Sequence, residues 1–311
     1  MPLEPRVKRF LDALAAGNPP SALIVPIEQR RQALVELMKL SGPTVGIGRV
    51  EDKILPGPAG DLPIRIYTPT AAASGLLPGL VFFHGGGLVA GSVTTHDAFV
   101  RALSAAGGCR IVSVGYRLAP EYRYPAALED TLLAIRHVAG NAKSFGMDPA
   151  RLGVCGESAG GTIVAAACQS LGLAGGQKLV LQLLICPILD YGGTSASRRE
   201  FANGFLVDIE TLAHDLLHCL PPGMDTQDPR ISPLRAPSLD GLPPTIIHTA
   251  EFDPLRDEGR AYYSRLEHIG SALSYTCHPG MIHLFYGLGG VIPYARIAIE
   301  KFGSEIRAAL A

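Results

Sequence analysis

The chain has 311 residues, 47% of them hydrophobic and 18% charged, with a formal net charge of −1. That length allows one large α/β domain or two ordinary ones, and the composition excludes disordered and collagen-like chains. A near-neutral balance without a lysine or arginine cluster gives no pull towards nucleic acid or an anionic membrane, so a small molecule is the expected partner.

The opening MPLEPRVKRF lacks the uninterrupted apolar segment of a secretory signal. No stretch approaches the ~20 apolar residues of a membrane span, so a cytoplasmic location is expected. Two amphipathic helices are predicted before residue 45, PRVKRFLDALAA and IEQRRQALVELMKL, separated by the proline-rich GNPPSALIVP. ILPGPAGDLPIRIYTP (54–69) reads as an antiparallel hairpin on a sheet edge. Short apolar, β-branched runs follow at 79–85, 110–116, 151–158, 179–189, 245–253 and 273–280, most of them separated by helix-like stretches such as HDAFVRALSAAGG. This alternation predicts an α/β fold, a mostly parallel sheet with helices on both faces.

Residues from about 191 to 235 break the alternation with an insertion that holds the helix candidate IETLAHDLLHCL, stopped by PPG. Neither it nor the N-terminal segment is long enough to be a domain. Their apolar faces need something to cover, and together they are expected to form a lid over the carboxyl edge of the sheet. The expected division is residues 1–45 as the N-terminal part of a helical cap, 46–190 and 236–311 as the two parts of a catalytic domain, and 191–235 as the cap insertion. The six cysteines, Cys109, Cys155, Cys168, Cys186, Cys219 and Cys277, form no CxxC pair and read as free thiols.

VCGESAGG (154–161) sets one serine between glycines, with a strand before it and a helix after it. Ser158 therefore falls on a sharp turn, where Gly156 and Gly160 avoid clashes across the bend and the helix amino end favours a developing negative charge. The glycine run of FFHGGGLVAGS ends a predicted strand. Gly85, Gly86 and Gly87 are candidate backbone donors to an oxyanion, with the N–H of Ala159 as a further one. Neither the Walker lysine nor GxGxxG spacing is present, so a phosphate cradle is disfavoured. The acid and then the histidine should follow the serine, each on a loop after a later strand. Asp253 and His283 satisfy that rule. Glu251 would still lie in the strand, and Asp257 and Glu258 in the next helix. His248 and His278 read as strand histidines and His84 as a brace for the glycine loop. His96, His137, His214, His218 and His268 read as helix residues at or near the surface. Glu129, Asp130 and the arginines of YRLAPEYRY are expected to make structural ion pairs. Tyr191 and Phe205 are candidates for lining the pocket.

HGGG, YRLAPEYRYPAALED, GESAGG, DPLRDEG and GMIHLF, in this order over about residues 80–290, resemble the motif series of the hormone-sensitive-lipase family of α/β-hydrolases, the bacterial family IV esterases. The resemblance implies an α/β-hydrolase fold under a mainly helical cap and hydrolysis of carboxylic esters without a cofactor or metal, frequently in a homodimer. It carries over Ser158, Asp253 and His283 as the catalytic triad, with Gly86, Gly87 and Ala159 as oxyanion donors. The family also includes a plant hormone receptor that binds its ligand without turnover, but loss of the histidine would favour that reading and His283 is present. Glu157 stands where aspartate is commoner in the family, Leu88 where an aromatic residue is common, and Leu284 where glycine is common. Short to medium acyl chains are expected, because a cap made from short segments suggests a small closed pocket.

Overall fold

Apolar runs buried on both sides can only be the inner strands of a covered sheet, and the computed structural model builds one sheet from them. It describes residues 2–57, 59–70, 75–173 and 178–311; residues 1, 58, 71–74 and 174–177 lie outside the described residues, among them Pro58 of the predicted hairpin turn. The strands are β1 (Arg49–Leu55), β2 (Leu62–Thr68), β3 (Leu77–Phe83), β4 (Arg110–Val114), β5 (Met147–Glu157), β6 (Leu181–Ile185), β7 (Thr245–Phe252) and β8 (Ala272–Ile282). They lie in the order β1-β2-β4-β3-β5-β6-β7-β8. Strand β2 runs antiparallel to both its neighbours, and every pair from β4 to β8 is parallel. The predicted edge hairpin is thus β1 and β2.

The helices are α1 (Pro5–Ala16), α2 (Ile27–Met38), α3 (Asp97–Gly107), α4 (Ala126–Gly140), α5 (Ala159–Leu173), α6 (Ala196–Glu200), α7 (Ile209–Cys219), α8 (Arg256–His268) and α9 (Tyr294–Ala309). Helices cover both faces of the sheet, with α3 packed against α9 and α4 against α5. The core between them includes Leu80, Val81, Phe82, Val154, Leu183 and Ile247, all fully buried.

Strand β6 stops earlier than its apolar run suggests. Cys186 turns to a φ of +46°, and the chain leaves the sheet for α6 and α7 before returning at β7. The two ends of this excursion are stitched together. Leu234 N–H donates to Leu189 O at 2.9 Å, Tyr191 N–H to Ser232 Oγ at 2.9 Å, and Arg235 Nε to Asp190 Oδ1 at 2.7 Å. Glu258 of α8 fastens the exit from behind, accepting the amides of Leu189 and Asp190 at 2.8 and 2.9 Å and pairing with Arg198 of α6 at 2.5 Å. Both carboxylate and guanidinium are buried, so each satisfies the other's charge.

The excursion also meets the N-terminal segment. His214 Nε2 donates to Val25 O at 2.9 Å, and Arg30 of α2 forms a two-pronged pair with Asp215 of α7 at 3.1 and 2.8 Å. In turn α2 is tied to the sheet domain, since Arg31 donates to Val89 O, Ala119 O and Glu121.

Candidate active site

Four loops leave the carboxyl ends of β3, β5, β7 and β8, carrying the glycine run, Ser158, Asp253 and His283 respectively. In a parallel sheet those ends face one crevice. Ser158 stands between β5 and α5 with φ +52° and is 8% exposed. Its strained backbone is held by three bonds. Ser158 N–H donates to Ile185 O at 2.9 Å, while its carbonyl accepts from Gly161 at 2.9 Å and Ile188 at 3.2 Å. The flanking glycines are required by space: a Cβ at Gly156 would strike the Gly160 carbonyl, and one at Gly160 would strike the carbonyls of Phe83 and His84.

The three side chains expected to converge do so. His283 Nε2 lies 3.0 Å from Ser158 Oγ, and His283 Nδ1 lies 2.8 Å from Asp253 Oδ2. Since a carboxylate only accepts, the Nδ1 proton points at Asp253 and leaves Nε2 free to accept from the serine. Leu255 N–H donates to the other oxygen of Asp253 at 2.9 Å. Burial works against protonation of His283, but the charge and hydrogen bond of Asp253, aided by Glu157, outweigh it and raise the imidazole above its ordinary value.

Gly85 needs correcting as an oxyanion donor. Its N–H is donated to Glu157 Oε1, so it is not available to a substrate. The amides of Gly86 and Gly87 donate to no acceptor among the described residues. Ala159 is the first residue of α5, where an N–H has no intrahelical partner. These three amides remain for an oxyanion.

Glu157 is the site residue whose role the sequence did not disclose. It is 1% exposed, beside the nucleophile, and takes the Gly85 amide, the Tyr286 hydroxyl and, at 2.8 Å, His96 Nε2. Burial opposes its ionisation, yet His96 and then Tyr286 hold its carboxyl down at about 2. The signal was a charged residue in an otherwise buried strand, which must be paired. His96 is buried for this reason, not at the surface as its place before α3 suggested. His214 is likewise buried, by its bond to Val25 O.

Other expectations hold as structural contacts. His84 stacks on Tyr116 at 4.4 Å and on His96 at 5.3 Å, and burial pushes it down to about 3, so it braces the loop as a neutral ring. His248 and His278 meet at 3.2 Å between β7 and β8. Arg117 pairs with Asp130 at 2.8 Å and Glu129 at 3.2 Å. Asp257 and Glu258 lie in α8 and bond to Ser197 and Arg198, while the carboxylate on the imidazole is that of Asp253. Tyr191 is buried. Half-buried Phe205 stacks on Phe252, the residue before Asp253, at 5.8 Å. All six cysteines are free. Cys186 lies with Asp253 and His283 in a group whose ligand atoms are within 4.8 Å of one another. Burial drives its thiol well above the ordinary value, and Asp253 and His283 are already bonded to each other and to Ser158.

A strained serine ahead of a helix, a histidine on its hydroxyl, a buried carboxylate behind the histidine and unpartnered amides opposite define a serine hydrolase on an α/β-hydrolase sheet. Comparison with known proteins narrows the class. Residues 80–287 match the family described as alpha/beta hydrolase fold, and the chain belongs to it, in the hormone-sensitive-lipase (bacterial family IV) branch. The chain is 39% identical over 273 residues to "Carboxylic ester hydrolase LipN" of Mycobacterium tuberculosis, covering 85% of this chain and 71% of that one. It is 36% identical to an arylesterase of Saccharolobus solfataricus, covering 92% and 93%. Among solved structures, an ester-hydrolase from the metagenome of Lake Arreo superposes with a TM-score of 0.95 at 37% identity over 98% of both chains. A hyperthermophilic esterase from Pyrobaculum calidifontis gives 0.93 at 34% over 100% of both.

Replacing Glu157 by alanine would leave the Gly85 amide, His96 and Tyr286 without their acceptor. Glu157→Ala should cost about 3–5 kcal/mol of stability, read as a lower urea midpoint, with Glu157→Gln losing clearly less because its carbonyl can still accept one bond. Equal midpoints for wild type and Glu157→Ala would contradict the assigned role.

Proposed function

We propose that the protein, a serine carboxylesterase, acts through Ser158, His283 and Asp253 in two acyl transfers. His283 Nε2 takes the hydroxyl proton as Ser158 Oγ bonds to the ester carbonyl carbon, and Asp253 fixes the tautomer and stabilises the imidazolium. The carbonyl oxygen, now negative, is held by the amides of Gly86, Gly87 and Ala159, each worth roughly 3 kcal/mol in comparable sites. His283 then gives its proton to the leaving alcohol. Water repeats the sequence on the acyl-enzyme and releases the acid. The observation that carries this reading is the pair of bonds, 3.0 and 2.8 Å, from Ser158 through His283 to Asp253.

Residues 1–45 and 191–235 serve as a cap in this reading, supported by the Arg30–Asp215 and His214–Val25 contacts between them. Short to medium acyl chains suit a site in which Ser158 is almost covered and in which Leu88, the residue after Gly87, and Leu284, the residue after His283, are both buried. Six free thiols, five of them buried, suit a reducing cytoplasm. No described helix is long and apolar enough to cross a membrane. The homodimer expected from the family resemblance is checked by light scattering on the eluting protein.

Ser158→Ala should abolish turnover of p-nitrophenyl butyrate while keeping the melting temperature within a few degrees; retained turnover would rule the mechanism out. The base must be neutral, so kcat/KM should fall tenfold per pH unit on the acid side. Because His283 is raised above its ordinary value of about 6.5, the midpoint of that fall should lie above 6.5, and a midpoint below 6 would contradict the Asp253 pairing. In a p-nitrophenyl series, acetate to octanoate should turn over faster than palmitate.

A further inference from the structure

The turn with the unpartnered amides is gripped from outside the sheet domain. Asp215 of α7 lies against Gly87 so closely that a Cβ there would overlap the carboxylate, and at Gly86 the nearest outside side chain is Leu34 of α2, 3.1 Å from a Cβ. Arg31, also on α2, donates to Val89 O at the end of the same turn at 2.8 Å. Asp215 is almost wholly buried, and both its oxygens are taken by Arg30, with His214 Nδ1 at 3.2 Å from Oδ1.

A carboxylate is an odd neighbour for that turn. In the reaction, negative charge builds up on the substrate oxygen opposite the Gly86 and Gly87 amides, and a bare anion in contact with Gly87 opposes it. At about 5 Å and an effective dielectric of about 20, an unneutralised unit charge slows such a step on the order of 10²-fold. Arg30 removes that penalty, and its forked guanidinium also fixes where Asp215 stands.

We propose that Arg30 and Asp215 are positioning residues for ester hydrolysis: Asp215 seats the oxyanion turn from above, and Arg30 neutralises Asp215 so that the seat does not repel the developing charge. The inference rests on the serine-hydrolase reading of Ser158. It differs from a plain structural brace in one respect. In a brace, removing either partner harms and removing both harms at least as much. Here the harm from losing Arg30 comes from the anion left behind, so neutralising that anion restores the rate.

The test compares wild type, Arg30→Met, Asp215→Asn, the double variant and Ser158→Ala on p-nitrophenyl acetate, with kcat and KM separated and melting temperatures recorded. Arg30→Met should lose kcat by about 30- to 100-fold with KM changed less than threefold. Asp215→Asn, which keeps the shape of the seat without its charge, should lose no more than about fivefold in kcat, whereas Asp215→Ala, which removes the seat, should lose at least about tenfold, and an Asp215→Ala rate equal to wild type overturns the seating role. The double variant should recover to within a few-fold of Asp215→Asn. Arg30→Lys should keep most of the rate because the charge remains. If Arg30→Met fails to fold, Arg30→Gln with and without Asp215→Asn carries the same comparison. A double variant as slow as the Arg30 single variant, or a loss confined to KM, overturns the proposal. Wild type that fails to hydrolyse the ester, or Ser158→Ala that still does, instead overturns the underlying reading.

Discussion

Ser158 holds a backbone conformation that a serine does not prefer, and the rest of the site depends on keeping it there. A positive φ costs roughly 1–3 kcal/mol at a non-glycine residue, and isolated chain would relax it. Here relaxation is blocked on each side. The strand before it is paired with β3 and β6, the helix after it begins at once, its amide is bonded to Ile185 at the end of β6, and its carbonyl accepts from Gly161 of α5 and from Ile188 beyond β6. The absence of side chains at positions 156 and 160 is the steric condition for this arrangement. The turn lifts the hydroxyl to the imidazole and presents the first amide of α5 to the same space.

Glu157 links that turn to its neighbours. One oxygen takes the Gly85 amide and His96, the other the Tyr286 hydroxyl, three residues beyond His283. The glycine loop, the nucleophile turn and the segment after the histidine thus share one buried anion. Its ionised state is maintained against burial, which by itself would favour the neutral form, by the bonds of His96 and Tyr286 and by the nearby charges of His96 and His283. This is also why HGGG has three glycines in a row with different duties. Gly85 is spent on Glu157, the amides of Gly86 and Gly87 have no acceptor among the described residues, and Gly87 in addition makes room for Asp215.

Much of this was readable in the sequence because local rules governed it. The strand-turn-helix pattern around Ser158, the order of acid and histidine and the position of each after a strand end depend on short stretches, and all fell where expected. The helices α1, α2 and α7 followed from their apolar spacing. What escaped was set by contacts between distant segments. His96 sits just before α3, where spacing alone suggests solvent, and only the fold brings Glu157 beneath it. Gly85 looked equivalent to its two neighbours until that same carboxylate claimed its amide. Asp215 lies on a helix whose apolar face was visible, but nothing local tells that its carboxylate points at Gly87 or that Arg30, 185 positions earlier, meets it there. The early end of β6 follows from the reversal at Cys186, a backbone feature that an unbroken apolar run conceals.

The stitched mouth of the excursion after β6 has a consequence for how the chain beyond it can change. Because Leu189–Tyr191 and Ser232–Arg235 hold each other directly, the mouth stays closed whatever the length of chain between its ends, provided Arg198 still meets the buried Glu258. Lengthening a closed loop adds only about 0.6 kcal/mol per doubling. Changes of length in the chain between therefore cost the sheet little, so long as a side chain without an unneutralised charge still fills the space at Gly87 that Asp215 occupies.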